Sequence, residues 1–182
     1  DSVGRGLIVT AKEVKMGLYL NPGNEEFRNA AIHSKIYVDK TEMIKFTNSQ
    51  LFGEHKNICV SRPRRFGKSM AANMLVAYYS KGCDSEKMFD GLTIGKSSDF
   101  KKHLNKYDVI HIDVQWFLSS CADIKSIISY ITQSVFEELK EYYPEVLPNE
   151  VLTLADALSR IRNSTGQKFI VIIDEWDILI RD

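Results

Sequence analysis

Ile58-Cys59-Val60-Ser61-Arg62-Pro63-Arg64-Arg65-Phe66-Gly67-Lys68-Ser69 is the stretch on which the fold turns. The run Asn57–Ser61 is apolar enough to predict a buried strand, and an arginine-rich turn follows it. From Ser69 to Ser80, Met70, Met74, Leu75 and Tyr78 recur at helical spacing and predict a helix that ends near Gly82. Strand, loop and helix in that order are what a phosphate-binding loop needs. The turn exposes backbone N–H groups, and the helix N-terminus faces the anion. A lysine must also reach the phosphates and a hydroxyl must reach a magnesium ion; Gly67, Lys68 and Ser69 hold those last positions of the pattern. The pattern's first glycine falls at position 62, where this chain has Arg62. Glycine there permits a tight turn that a side chain hinders, so the loop entry must be shaped differently. The candidate phosphate-binding residues are Arg62, Pro63, Arg64, Arg65, Phe66, Gly67, Lys68 and Ser69.

Outward from that stretch, Phe169-Ile170-Val171-Ile172-Ile173 is a continuous apolar run ending in Asp174 and Glu175. Such a run predicts a parallel strand buried on both faces. Its carboxyl end is where ligands bind in open α/β sheets. Asp174 there is a candidate magnesium ligand alongside Ser69, and Glu175 is a candidate general base for an attacking water. Asp177 is read as a helix cap before Ile178. Asp113 ends another predicted strand near the same edge, a position more often structural than catalytic. A second Gly-Lys-Ser at Gly95-Lys96-Ser97 has no apolar strand before it and no apolar-faced helix after it, so it reads as a turn.

The other elements follow from periodicity and punctuation. Asn21-Pro22-Gly23-Asn24 is a turn, and Glu25–Ile32 is a short helix. Ile36–Val38 is a short strand, and Thr41 caps a helix running toward Leu51. Val109–Val114 is a buried-type strand. Ala122–Tyr143 is the clearest amphipathic helix, with Ile124, Ile127, Ile128, Ile131, Val135 and Leu139 at three-to-four spacing and Pro144 stopping it. Thr153–Asn163 is another helix, with Leu154, Ala157, Leu158 and Ile161 inward and Gly166 past its end. Strands alternating with helices predict an α/β fold, a parallel sheet flanked by helices.

Bulk composition narrows the class. The 182 residues carry 24 basic and 24 acidic side chains, so no global charge draws the chain to nucleic acid or an anionic membrane. Its 44% hydrophobic content is that of an ordinary globular domain. The three cysteines form no CxxC pair, which favours a reducing cytoplasm over a disulfide or zinc framework; Cys59, inside its apolar run, reads as a small hydrophobe. The four histidines have no metal-ligand spacing. Trp116 and Phe117 read as packing residues. No apolar run is long enough to span a bilayer, and no secretory signal is visible. A start at Asp1 rather than methionine is expected of a chain whose natural beginning has been removed. Residues 1–35 are expected to be a partly loose extension and 36–182 the domain.

Tyr37-Val38-Asp39-Lys40-Thr41, the Arg62–Ser69 loop, Phe89-Asp90-Gly91-Leu92 and Ile173-Asp174-Glu175-Trp176-Asp177 together resemble the bacterial AAA-ATPase-like family. The resemblance implies a P-loop NTPase fold of the ASCE/AAA type. It implies ATP bound through Lys68 and Ser69, Mg2+ through Ser69 and Asp174, and hydrolysis assisted by Glu175. Members of this family tolerate arginine at the loop's first glycine. They commonly have tyrosine where Trp176 stands, and Tyr37–Thr41 is implied to help seat the nucleotide. The family's sheet places a later strand between the loop strand and the Walker B strand. That strand, its sensor residue, any arginine finger and a C-terminal PD-(D/E)XK nuclease-like domain are expected to lie beyond Asp182 in a longer protein. Two other readings stand beside a magnesium-dependent ATPase. One is a nucleotide-dependent switch that hydrolyses little. The other is a nucleic-acid-binding module using Arg62, Arg64, Arg65 and Lys68, disfavoured by the neutral charge and the absence of interleaved aromatics.

Overall fold

Strands that run the same way need a long crossover between them, and the segment from Val114 to Lys168 supplies one. In the computed structural model, which describes residues 16–33, 36–61, 63, 66–121 and 123–180, β1 (Asp108–Asp113) and β2 (Phe169–Asp174) pair in parallel. The register sets Asp113 opposite Asp174, so both strands end on a carboxylate at the same edge. The crossover consists of a 3-10 segment (Val114–Ser120), then α5 (Ile124–Tyr142) and α6 (Leu154–Thr165). Ahead of the sheet lie α1 (Glu25–His33), α2 (Glu42–Gln50), α3 (Lys68–Tyr79) and the single turn α4 (Phe100–His103).

Side chains alternate across a strand, and each face of the pair carries its own core. Ile110 and Ile112 of β1 join Ile131, Val135 and Leu139 of α5 and Ile161 of α6. On the opposite face Val109, Ile170 and Ile172 pack with Met74 and Tyr78 of α3, and with Phe27, Ile44 and Phe89. Helices on both faces of a parallel sheet make the α/β class. The crossover helices are closed by short-range caps, α5 beginning at Ile124 after its Asp123 cap rather than at Ala122. Asp123 accepts a hydrogen bond from the Ser126 N–H at 2.8 Å and Thr153 one from the Asp156 N–H at 3.2 Å, caps worth about 1 kcal/mol each. Gly166 ends α6 with φ 74°, a left-handed conformation in which its N–H reaches the Arg162 carbonyl.

Several expectations fail, each for a physical reason. Asn57–Ser61 is not a strand: it makes no ladder among the described residues, and Ile58, Cys59 and Val60 are exposed. A strand exists only through its neighbour. Both edges of β1 are taken, one by β2 and the other by an antiparallel bridge of Leu20 to Ile110 and a hydrogen bond from Asn21 N–H to the Val109 carbonyl, and among the described residues Asn57–Ser61 does not pair with the outer edge of β2 either. Cys59 therefore does not act as a buried hydrophobe. Ile36–Val38 likewise forms no strand, and Ile36 is exposed. β2 is not buried on both faces; Val171 and Ile173 are 46% and 49% exposed, while Ile170 and Ile172 pack on the α3 side. Ile124 and Ile128 of α5 face outward, so its apolar stripe is narrower than the periodicity predicts. On α3, Met70 and Leu75 are only half-buried, while Val76, Ala77 and Tyr79 join the core. Thr41 does not cap α2 through its side chain, because its hydroxyl is used elsewhere. Phe117 packs in the core as expected, but Trp116 is 49% exposed and stands edge-on to His111. The loose part of the expected extension, residues 1–15, lies outside the described residues.

Candidate functional site

α3 carries the Gly-Lys-Ser sequence to one end of the sheet. Ser80, which ends the helix, forms an isolated bridge with Tyr107, just ahead of β1. The helix packs on both strands. With its C-terminus at the sheet's amino edge, its N-terminus runs to the carboxyl edge, where β1 and β2 deliver Asp113, Asp174 and Glu175.

At that N-terminus Gly67 has φ 74° and ψ 40°, a left-handed conformation that glycine adopts without steric cost. Lys68 begins the helix, and Ala71 N–H makes the first ladder bond, to the Gly67 carbonyl at 3.1 Å. No side chain caps the helix. The first-turn N–H groups therefore keep their donors directed outward, at the positive end of the helix dipole. Lys68 is half-buried and Ser69 exposed. Phe66 is exposed and its N–H lies 3.4 Å from the Pro63 carbonyl. Arg62, Arg64 and Arg65 lie outside the described residues.

The acidic side is built by strand register. Asp174 is buried, 7% exposed, and its Oδ1 accepts the Glu175 N–H at 2.9 Å. Glu175 has φ 52°, an uncommon left-handed conformation for a residue with a Cβ, and there the chain leaves the strand for the 3-10 turn Trp176–Ile180. Burial pushes the Asp113 carboxyl above its ordinary range, and the charges of Asp174 and Glu175 push the same way against a hydrogen bond from the Gln115 N–H. Two residues back on the same face, His111 is buried with an unpartnered Nε2, and burial holds its ring below the usual histidine range against the pull of Asp174. Three carboxylates thus meet at one edge, and among the described residues no ion pair joins Lys68 to them.

A family model described as "Predicted AAA-ATPase" matches residues 22–182. The chain belongs to the AAA-ATPase-like family. Among curated proteins and among solved structures nothing matches the chain. Membership in the family suggests nucleotide binding, and the matched span takes in both Gly67–Ser69 and Asp174–Glu175.

A cluster at Asp39–Thr41 is more closely tied to this edge than the sequence patterns indicate. The Asp39 carboxylate accepts four hydrogen bonds, from the N–H and hydroxyl of Thr41 and from the N–H and hydroxyl of Thr93, at 2.7–2.8 Å. Thr41 is fully buried, and its hydroxyl oxygen accepts the Ile94 N–H at 3.1 Å. Between these two, Lys40 donates to the Phe66 carbonyl in the loop itself. The only sequence signal for this was the acid-lysine-threonine tripeptide within Tyr37–Thr41. Among the described residues no group of three or more His, Cys, Asp or Glu side chains is placed to hold a metal unaided. No helix among them is long and apolar enough to cross a membrane.

The Asp39 clamp gives a pH signature. Burial alone raises the Asp39 carboxyl, but the hydrogen bonds from Thr41 and Thr93 outweigh it and hold it at about 2, against 3.8 for a free side chain. A carboxylate whose folded value is depressed stabilises the fold above its unfolded value and loses that contribution as pH falls toward the folded one. The clamp is fully effective above about pH 4 and is lost toward pH 2. Thermal midpoints of wild type and Asp39→Ala should differ at neutral pH and converge between pH 4 and 2. A difference that stays constant through that window would remove the carboxylate from the explanation.

Proposed function

We propose that the chain binds ATP with magnesium at the carboxyl edge of its sheet and hydrolyses it to ADP and phosphate, in the manner of a P-loop NTPase. The observation that supports this is the course of α3, whose end bridges to Tyr107 ahead of β1 and which packs on both strands, a course that directs its uncapped N-terminus with Gly67, Lys68 and Ser69 toward the edge where β2 ends at Asp174. Family membership supports the nucleotide. The first-turn N–H groups of α3 and the Lys68 ammonium bind phosphate oxygens. The donor set suits magnesium, a hard cation that keeps several waters and needs only one or two carboxylates besides the phosphates. Ser69 and Asp174 would hold it, and it would supply neutralisation of charge on the phosphate oxygens. Glu175 accepts the proton of the attacking water.

Isothermal titration of ATP into the chain tests the binding half. Saturable binding that needs magnesium is expected; no heat with or without magnesium would overturn the proposal. A nucleotide-operated switch with little turnover is the second reading. It is favoured by the position of Asn57–Ser61, which precedes the loop but lies outside the sheet. Phosphate release measured on a chain that binds ATP separates the two.

A further inference from the structure

The Lys40 ammonium occupies a place where a cation gains little from the protein around it. Its Nζ donates to the Phe66 carbonyl at 2.5 Å, across 26 positions of sequence. A Cβ built on Gly67 would lie 2.5 Å from the same Nζ, so the ammonium rests directly over the Gly67 backbone. That is the amino end of α3, where the helix dipole is positive and a neighbouring cation is disfavoured. Lys68 brings a second positive charge to the same turn. Among the described residues no carboxylate forms an ion pair with Lys40. Asp39, the acid beside it in sequence, gives its carboxylate to Thr41 and Thr93 instead. Those bonds fix the backbone on both sides of Lys40, so its stem leaves a rigid base and its head reaches the loop. Among the described residues, two lysines without an ion-pair partner therefore stand beside the open N–H groups at the start of one helix. That arrangement becomes favourable when a multiply charged anion fills it.

We propose that Lys40 is a second phosphate-binding cation of the loop, contacting the polyphosphate of a nucleoside di- or triphosphate. The inference rests on the nucleotide reading above. One ammonium N–H stays on the Phe66 carbonyl, which sets the head over Gly67, and the other two are free for phosphate oxygens. Lys40 and Lys68 then approach the polyphosphate from different elements, one from the turn before α2 and one from the start of α3.

The test is titration of magnesium-ATP into wild type, Lys40→Met, Lys40→Gln and Lys40→Arg, at two salt concentrations, with apo thermal midpoints as a check on folding. Lys40→Met and Lys40→Gln should each weaken binding by about ten-fold or more, the scale of a hydrogen bond to a charged group. Both should also flatten its salt dependence, since one charge fewer is screened. Lys40→Arg should restore most of the affinity. Wild-type affinity in Lys40→Met would overturn the proposal. So would weak binding in Lys40→Met with full affinity in Lys40→Gln, because the lysine would then serve only as a neutral tether to Phe66. Absence of ATP binding by the wild type would overturn the nucleotide reading and this proposal with it, an outcome distinct from wild-type binding that Lys40 does not affect.

Discussion

Lys68→Ala should weaken magnesium-ATP binding by about a hundred-fold or more, enough to remove the titration signal at ordinary protein concentrations. The size follows from what the side chain does and what survives its loss. An ammonium shared between two phosphate oxygens makes two charge-assisted hydrogen bonds, each worth about 1.5–3 kcal/mol where water is partly excluded. Half-burial of Lys68 meets that condition better than a fully solvated lysine would. What remains is the field of the α3 N-terminus and its free N–H groups, worth up to about 2 kcal/mol for an anion. Residual weak binding is therefore consistent with the assignment, whereas equal affinity in wild type and Lys68→Ala would sink it. The folded state should be little changed, because alanine is a better helix former than lysine and α3 draws its stability from Met74, Tyr78 and Tyr79 further along.

Where the sequence predicts structure well, the information is local. α6 was readable at both ends because a threonine cap and a C-terminal glycine act within a turn of the helix, and Thr153 and Gly166 do so. α5 was readable because its buried residues repeat at helical spacing from Ile127 to Leu139. The Asn57–Ser61 run fails for the opposite reason. Hydrophobicity says that a segment would pair, and only the rest of the sheet says whether a partner edge is open. Here Leu20 and Asn21 occupy the edge of β1 that β2 leaves, a contact some ninety residues distant in sequence (Leu20 to Ile110) that no periodicity encodes, and nothing local in Asn57–Ser61 says whether it would join the outer edge of β2 instead. Val171 and Ile173 show the same limit, since their exposure depends on what packs over that face of β2 and not on their own character.

The site divides along the same line. Asp174 and Glu175 could be placed at a strand's carboxyl end because an apolar run ends on them whatever its partner, and β2 does end at Asp174. Lys40 and its Asp39 clamp could not be derived by spacing, since the contacts to Phe66 and Thr93 span 26 and 54 residues. Spacing gave the cysteines and histidines no metal-ligand pattern. Spacing could not disclose the unpartnered Nε2 of His111, two residues before Asp113, which arises from burial.

Glu175→Gln should leave ATP affinity within a few-fold of wild type and slow phosphate release by about two to four orders of magnitude, the range for loss of a general base. The substitution keeps size and shape and removes only the ability to take a proton. The backbone makes Glu175 the better candidate for that role than its neighbour. Asp174 is buried and uses one oxygen on the Glu175 N–H, which suits a residue that holds position. At Glu175 the φ of 52° turns the chain out of the strand, taking its side chain off the alternation that would otherwise set it on the face opposite Asp174. A left-handed conformation costs a residue with a Cβ about 1–2 kcal/mol. Glu175→Gly relieves that cost, so it should raise the thermal midpoint while abolishing turnover as completely as Glu175→Gln. Concordant loss of phosphate release in both variants, with the thermal midpoint raised in Glu175→Gly and unchanged in Glu175→Gln, identifies the carboxylate itself as the working group. Unchanged release in Glu175→Gln would transfer the base role elsewhere on the edge, where the Asp113 carboxyl, raised by burial and by its acidic neighbours, is the next group able to accept a proton.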